Sequence, residues 1–234
     1  MAKVDVTVPV YNEEASLVDS IYKLHSFLSS SKFEHEWQII IVDNASTDKT
    51  FQKAETLISE LDHVQYLHLP DKGRGRALKL SWQQSSSEIV SYMDVDLSTD
   101  LDSFPKLIDA IAANGYDIAI GSRLIRGSIV VRSSLRGFLS RSYNLLLSQF
   151  LSVNFSDAQC GFKAFRASIA QKLIPQVYDD NWFFDTEILF LAENSGAKIK
   201  EIPIMWKEDK DSRVMLLGTI IEDIKGIFRL KMRS

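Results

Sequence analysis

Short apolar runs and amphipathic stretches take turns along the first half of the chain. Val4 to Val10, Trp37 to Val42, Val64 to Leu69, Ile89 to Met93 and Tyr116 to Ile120 are β-rich runs of strand length. Between them apolar residues recur at helical spacing. Leu17, Ile21, Leu24 and Leu28 follow Asn12, which the pattern makes a helix cap with Glu13 and Glu14 in the first turn. Thr47 or Asp48 is expected to cap a second helix. The turn Asp71 to Arg76 opens a third, running to about Gln84, and Asp102 to Asn114 forms a fourth with Pro105 in its first turn. Alternation of strand and helix predicts an α/β fold with a mainly parallel central sheet flanked by helices. Ligands of such sheets sit outside the carboxyl ends of the strands. The polar stretches there, Pro9 to Glu13, Asp43 to Ser46, Asp71 to Arg76 and Asp94 to Ser98, should therefore converge on one crevice.

The second half has a different pattern. Ser133 to Phe155 reads as helix, with Leu135, Leu139, Tyr143, Leu146, Leu147 and Phe150 on one stripe. Ala158 to Phe165 reads as a compact turn or strand, and the stretch after Asp185 reads as helix to Asn194. Ile199 to Trp206 reads as an edge strand bearing Pro203. Val214 to Met232 is amphipathic: Leu217, Ile221, Ile224 and Phe228 face one way, and Lys225, Arg229, Lys231 and Arg233 make its end basic.

Composition changes this picture little. The 234 residues are 45% hydrophobic and 25% charged, as in ordinary globular proteins. One cysteine, Cys160, excludes an intramolecular disulfide and suits a reducing compartment. The first residues enter a strand directly, so no secretory signal is expected, and no run reaches the ~18 apolar residues of a membrane span. The net charge of −4 conceals an asymmetry: from Ile118 to Ser156 there is no acid, while Arg123, Arg126, Arg132, Arg136 and Arg141 all fall there.

Candidate chemistry centres on Asp94-Val95-Asp96. Strand residues alternate faces, so the two carboxylates would point the same way if the strand continued. Such a pair offers hard oxygen ligands to a divalent cation, and burying two like charges without one is costly. Gly73-Arg74-Gly75 opens a helix whose backbone N–H groups suit phosphate, but the Gly-Lys-Ser/Thr of a P-loop is missing. The four histidines show no metal spacing, and Cys160 reads as a buried small hydrophobe.

Four stretches in order, Pro9-Val10-Tyr11-Asn12-Glu13-Glu14, Val42-Asp43-Asn44-Ala45-Ser46-Thr47-Asp48, Lys72-Gly73-Arg74-Gly75 and Asp94-Val95-Asp96, resemble the motifs of family 2 glycosyltransferases with the GT-A fold. Gly121-Ser122-Arg123, Leu139-Ser140-Arg141, Asp157 to Lys163 and Trp182 to Glu187 look like its polyprenyl-phosphate branch, which includes the dolichyl-phosphate mannose and glucose synthases. The resemblance covers about Val4 to Leu230. It implies that Pro9, Tyr11 and Glu13 line a nucleotide pocket, that Asp43 holds the base or ribose, and that Lys72 and Gly73 lie near the nucleotide. It places Asp94 on the ribose or sugar and Asp96 on Mg2+ or Mn2+ with the diphosphate. Ser98 stands where mannose synthases of the branch often carry a glutamine ligand. Arg123, Arg136 and Ser140 match acceptor-phosphate positions, Asp157 matches an aspartate near the reacting centre, and Lys210 and Arg213 fall on a basic acceptor-side loop.

The chain is thus expected to be a single GT-A domain, with a nucleotide-sugar half (1–122) and an acceptor and membrane half (123–234) ending in amphipathic helices. The implied reaction is inverting transfer of a hexose from a nucleotide sugar to a polyprenyl phosphate. Asp94, Asp96 and Asp157 are its catalytic candidates. UDP-glucose is favoured, GDP-mannose is the alternative, and a non-catalytic sugar-nucleotide-binding module is the reading from another class. Expected partners are the nucleotide sugar, the lipid phosphate and the cytoplasmic face of a membrane. No nucleic acid is expected, while a homo-oligomer or a membrane partner protein stays open. Nucleotidyl transfer is disfavoured, because no Gly-rich N-terminal loop with a following Arg-Lys pattern is present.

Overall fold

The structure is a computed structural model that describes residues 1–208 and 216–233, with the backbone alone at 135, 136 and 216–220. Five strands and four helices alternate first: β1 (Lys3–Val10), α1 (Leu17–Leu28), β2 (Glu36–Asn44), α2 (Thr50–Glu60), β3 (Val64–Leu69), α3 (Arg74–Gln84), β4 (Ile89–Met93), α4 (Phe104–Ala112) and β5 (Ile118–Ser122). Then come β6 (Ile129–Val131), α5 (Ser134–Leu151), β7 (Phe162–Arg166), α6 (Ala167–Leu173), α7 (Phe184–Asn194), β8 (Ile199–Pro203), β9 (Met205–Lys207) and α8 (Leu216–Arg233).

The main sheet has seven strands in the order β3-β2-β1-β4-β7-β5-β8. All pairings are parallel except those of β7, which runs antiparallel between β4 and β5. The mainly parallel α/β sheet is therefore the observed architecture, and strands from both halves of the chain share it. β4 is buried at every residue, as a central strand covered on both faces must be. One core joins β1, β2 and β4 to α1 and α4. A second lies on the opposite face beneath α3, α5, α6, α7 and α8, around Trp82, Tyr92, Phe165 and Phe184.

Several local expectations are corrected. Asn12 does not cap α1; Ser16 precedes that helix, and Asn12, at φ 54°, accepts a 2.7 Å bond from the Thr47 amide. An asparagine tolerates this left-handed backbone because its side chain bonds locally. Asp48 accepts from the Thr50 amide at 3.0 Å, although Lys49 holds the formal cap position of α2. α5 stops at Leu151, where Ser152 turns left-handed, so Val153 and Phe155 enter the second core from a loop. Its stripe also divides: Leu147 is buried while Phe150 is exposed. Ile199 to Trp206 is two strands, β8 in the main sheet and β9 paired with β6.

α8 buries Asp223, Ile227 and Leu230, so Ile221, Ile224 and Phe228 face outward. The helix is apolar on two sides. Its basic end is partly consumed within the fold, since Arg229 and Arg233 lie 2.8 and 3.3 Å from the fully buried carboxylate of Glu187 on α7. No helix among the described residues is long and apolar enough to cross a membrane.

Candidate active site

The carboxyl ends of β2, β1 and β4 lie side by side, which brings Asp43, Pro9 and Asp94 to one rim. β4 stops at Met93, and a turn closes with the Leu97 amide donating to the Asp94 carbonyl at 3.1 Å. Asp94 and Asp96 therefore sit on a turn, not on a continued strand. Both still line one crevice with Ser98, Thr99 and Gly161. Asp96 is exposed and accepts from the Ser98 amide at 2.9 Å. Asp94 accepts from Arg74 at 2.6 Å, and a Cβ at Gly161 would overlap its carboxylate.

This donor set fits Mg2+ or Mn2+ in the way such ions are usually held, by one or two carboxylates with substrate phosphates completing the shell. Among the described residues no cluster of three His, Cys, Asp or Glu offers a full protein cage. The Asp96 carboxylate and the Ser98 hydroxyl are the oxygens that would face the ion.

On the nucleotide side, the Lys72 ammonium lies 4.0 Å above the Tyr11 ring. Glu13 accepts from the Ser16 hydroxyl, and its amide donates to Thr50 at 2.8 Å. Asp43 is buried with its oxygens in use: the Ser46 amide donates to one at 3.0 Å and the Tyr66 hydroxyl to the other at 2.9 Å. Burial and this carboxylate hold the Tyr66 phenol well above its ordinary range. Asp43 thus holds the loop that follows β2. Gly73, at φ 157°, has no room for a side chain, since a Cβ would lie 2.6 Å from the Asp180 carbonyl.

Asp157 is fully buried and grips Arg123 three times, through the backbone amide at 2.9 Å, Nε at 2.8 Å and the guanidinium end at 2.8 Å. Burial pushes the Asp157 carboxyl up, but Arg123 outweighs it and holds the group below the usual carboxylate range. Arg123 also lies 5.4 Å from the Trp206 ring on β9. Trp206 bridges to Thr99, so this arginine is tied to the aspartate turn. Arg132 is close enough to Arg123 and Arg141 that burial and their charges lower its pKa. Ser140 lies on α5, half-buried. The Arg136 side chain, Lys210 and Arg213 lie outside the described residues.

Arg74, Lys163 and Asp185 fall inside the quoted motifs, but nothing in the spacing of those motifs tells that the three join. Arg74 bonds Asp94 and Asp185, both at 2.6 Å, and lies 4.9 Å from the rings of Tyr92 and Trp182. Lys163, in the middle of β7 and fully buried, reaches Asp185 at 2.8 Å and the Tyr92 hydroxyl at 2.9 Å. A lysine inside an alternating strand reads as a surface residue. Only the antiparallel seat of β7 between β4 and β5 shows that it is not. Arg132 too stands out in sequence only as one of five arginines.

Residues 5–174 match the model of glycosyl transferase family 2. The chain belongs to that family. Among its relatives, glycosyltransferase AglD of Haloferax volcanii is 34% identical over 94% of this chain, which spans 35% of AglD. The dolichyl-phosphate beta-glucosyltransferase of Saccharomyces cerevisiae is 30% identical over 97% of this chain and 73% of its own length. Among solved structures, the glucosyl-3-phosphoglycerate synthase of Mycobacterium tuberculosis in complex with Mn2+, UDP and glucosyl-3-phosphoglycerate aligns at a TM-score of 0.71. That alignment has 16% identity and covers 98% of this chain and 80% of that one. This family 2 chain therefore has the GT-A-like fold of that neighbour.

Proposed function

We propose that this protein transfers glucose, with inversion, from UDP-glucose to a polyprenyl phosphate at the cytoplasmic face of a membrane. One observation carries the reading: a carboxylate turn and an arginine cluster are joined by the single loop Asp157–Gly161. Asp157 at one end grips Arg123, and Gly161 at the other seats Asp94. The names of the relatives, dolichyl-phosphate beta-glucosyltransferase in several organisms, supply the acceptor and the sugar.

A phosphate monoester is an anion near neutral pH and attacks an anomeric carbon without a strong base. The protein's task is to gather two anionic substrates and favour departure of the nucleoside diphosphate. Arg123, with Arg132 beside it and Arg136, Ser140, Lys210 and Arg213 from the acceptor half, would hold the lipid phosphate. Pro9, Tyr11, Glu13, Asp43, Lys72 and Gly73 would frame the nucleotide, and Asp94 would receive a ribose or sugar hydroxyl. Asp96, with Ser98, would hold Mg2+ or Mn2+, which supplies positive charge to the leaving diphosphate when bound. Asp157 is the counter-ion that sets Arg123, since its oxygens already serve that guanidinium.

The membrane contact would be the outer face of α5 and α8. Phe138 is 68% exposed, Leu145 59% and Phe228 58%, with Ile221 and Ile224 beside it and Arg141 exposed on α5. An apolar face with basic residues suits an anionic lipid surface.

The test offers purified protein, with Mn2+ or Mg2+ and a short polyprenyl phosphate, several radiolabelled nucleotide sugars. Label from UDP-glucose should enter the organic phase, and chelation with EDTA should abolish it. Label only from GDP-mannose would replace the donor. Label from none, in folded protein that binds UDP, would favour the binding-module reading.

A further inference from the structure

We propose that Arg74 is the positioning residue of the donor site, acting through Asp94; this rests on the reading of Asp94 as a donor ligand. The Asp94 side chain is 43% exposed and opens on the crevice, whereas that of Arg74 is only 10% exposed. Arg74 is therefore the more enclosed partner of the pair. Its planar fork spans two carboxylates at once, Asp94 on the rim and Asp185 in the interior, each at 2.6 Å. A lysine, with a compact point charge, cannot reproduce that span. The rings of Tyr92 and Trp182 lie within cation–π reach of the guanidinium, each at 4.9 Å.

The anchor behind Arg74 is itself fixed. Asp185 is buried and accepts from Lys163 at 2.8 Å and from the Tyr92 hydroxyl. Burial raises the Asp185 carboxyl, but Lys163 and Arg74 outweigh it and keep it ionised. Lys163 donates also to the Cys160 carbonyl at 2.5 Å, one residue before Gly161. Gly161 has no side chain where the second Asp94 oxygen lies. Arg74 thus bonds one oxygen of the carboxylate, and the room left at Gly161 admits the other.

This arrangement has an electrostatic effect. Arg74 balances the charge of Asp94, leaving Asp96 and the diphosphate to attract the cation. If the relay only glued α3 and α7 to the sheet, its loss would lower stability and the fraction of active protein. It would not alter the affinity of the molecules that remain folded.

Calorimetric titration of UDP in the presence of Mn2+ separates the two, because it needs no acceptor. Unfolded protein lowers the stoichiometry, whereas a misplaced Asp94 raises Kd. Arg74→Lys is expected to weaken UDP about tenfold at near-normal stoichiometry, the lower end of what losing a hydrogen bond to a charged group costs. Gly161→Ala, which leaves the Arg74–Asp185 pair intact, should weaken it similarly. Asp94→Asn serves as the reference. If it weakens UDP while Arg74→Lys and Gly161→Ala keep the wild-type Kd, positioning by Arg74 is overturned. If Asp94→Asn itself leaves the Kd of both UDP and UDP-glucose unchanged, the donor role of Asp94 fails and the inference falls with it.

Discussion

At the scale of single residues, two buried carboxylates have opposite fates. Asp157 has Arg123 on both oxygens and stays ionised. Breaking a buried pair strands the remaining charge, so Asp157→Asn should cost about 3 kcal/mol of stability. Because Arg123 would lose its orientation, the acceptor KM should rise while the donor KM holds, as steady-state kinetics with each substrate varied would show. Asp223 lacks such a partner. Gln159 donates to one oxygen at 3.0 Å, and the other, buried, is unpaired. Burial pushes its carboxyl up to about 7. An acid raised on folding binds its proton more tightly in the native state, so its contribution falls as pH rises toward and through 7. Asp223→Asn removes that dependence, and its melting temperature should gain on the wild type between pH 6 and pH 8. Residue types at these places were legible in the sequence. The pairing of Gln159 with Asp223 was not, because the two are 64 positions apart.

Among the elements, the strands of the first half were legible because buried parallel strands are short, continuous apolar runs. β7 was harder to read. Its five residues carry Lys163 and Arg166, and nothing local tells that they insert antiparallel between β4 and β5. The amphipathic reading of α8 found a true outer apolar stripe but not the second, inner one. Ile221, Ile224 and Phe228 face out because Ile227 and Leu230, with Asp223 between Gln159 and the second core, form the inner face. If the outer face meets lipid, Ile224→Glu combined with Phe228→Glu should abolish co-sedimentation with anionic liposomes at low salt. Thermal stability should change little, as for other surface substitutions. A collapse of stability with binding retained would show the stripe to be structural.

On the scale of the whole molecule, strands from both halves of the chain meet in one sheet. β7 and β8 come from beyond the expected division near residue 122 and complete the sheet that β1 to β5 begin. Residues 1–122 expressed alone should therefore fail to give a soluble, cooperatively melting product, which light scattering and a thermal scan would establish. The general α/β plan was legible in the alternation of elements. Strand order was not, since order depends on contacts distant in sequence. The position of β7 also bears on synthesis. Both hydrogen-bonded neighbours of β5, β7 and β8, are made after it. As the chain leaves the ribosome, Ile118 to Ser122 must wait for more than α5 to be translated before finding a partner strand, and the edge of β4 stays open meanwhile. Such an edge is a template for wrong pairing, so the interval between β5 and β7 is when a nascent copy most needs shielding by a chaperone.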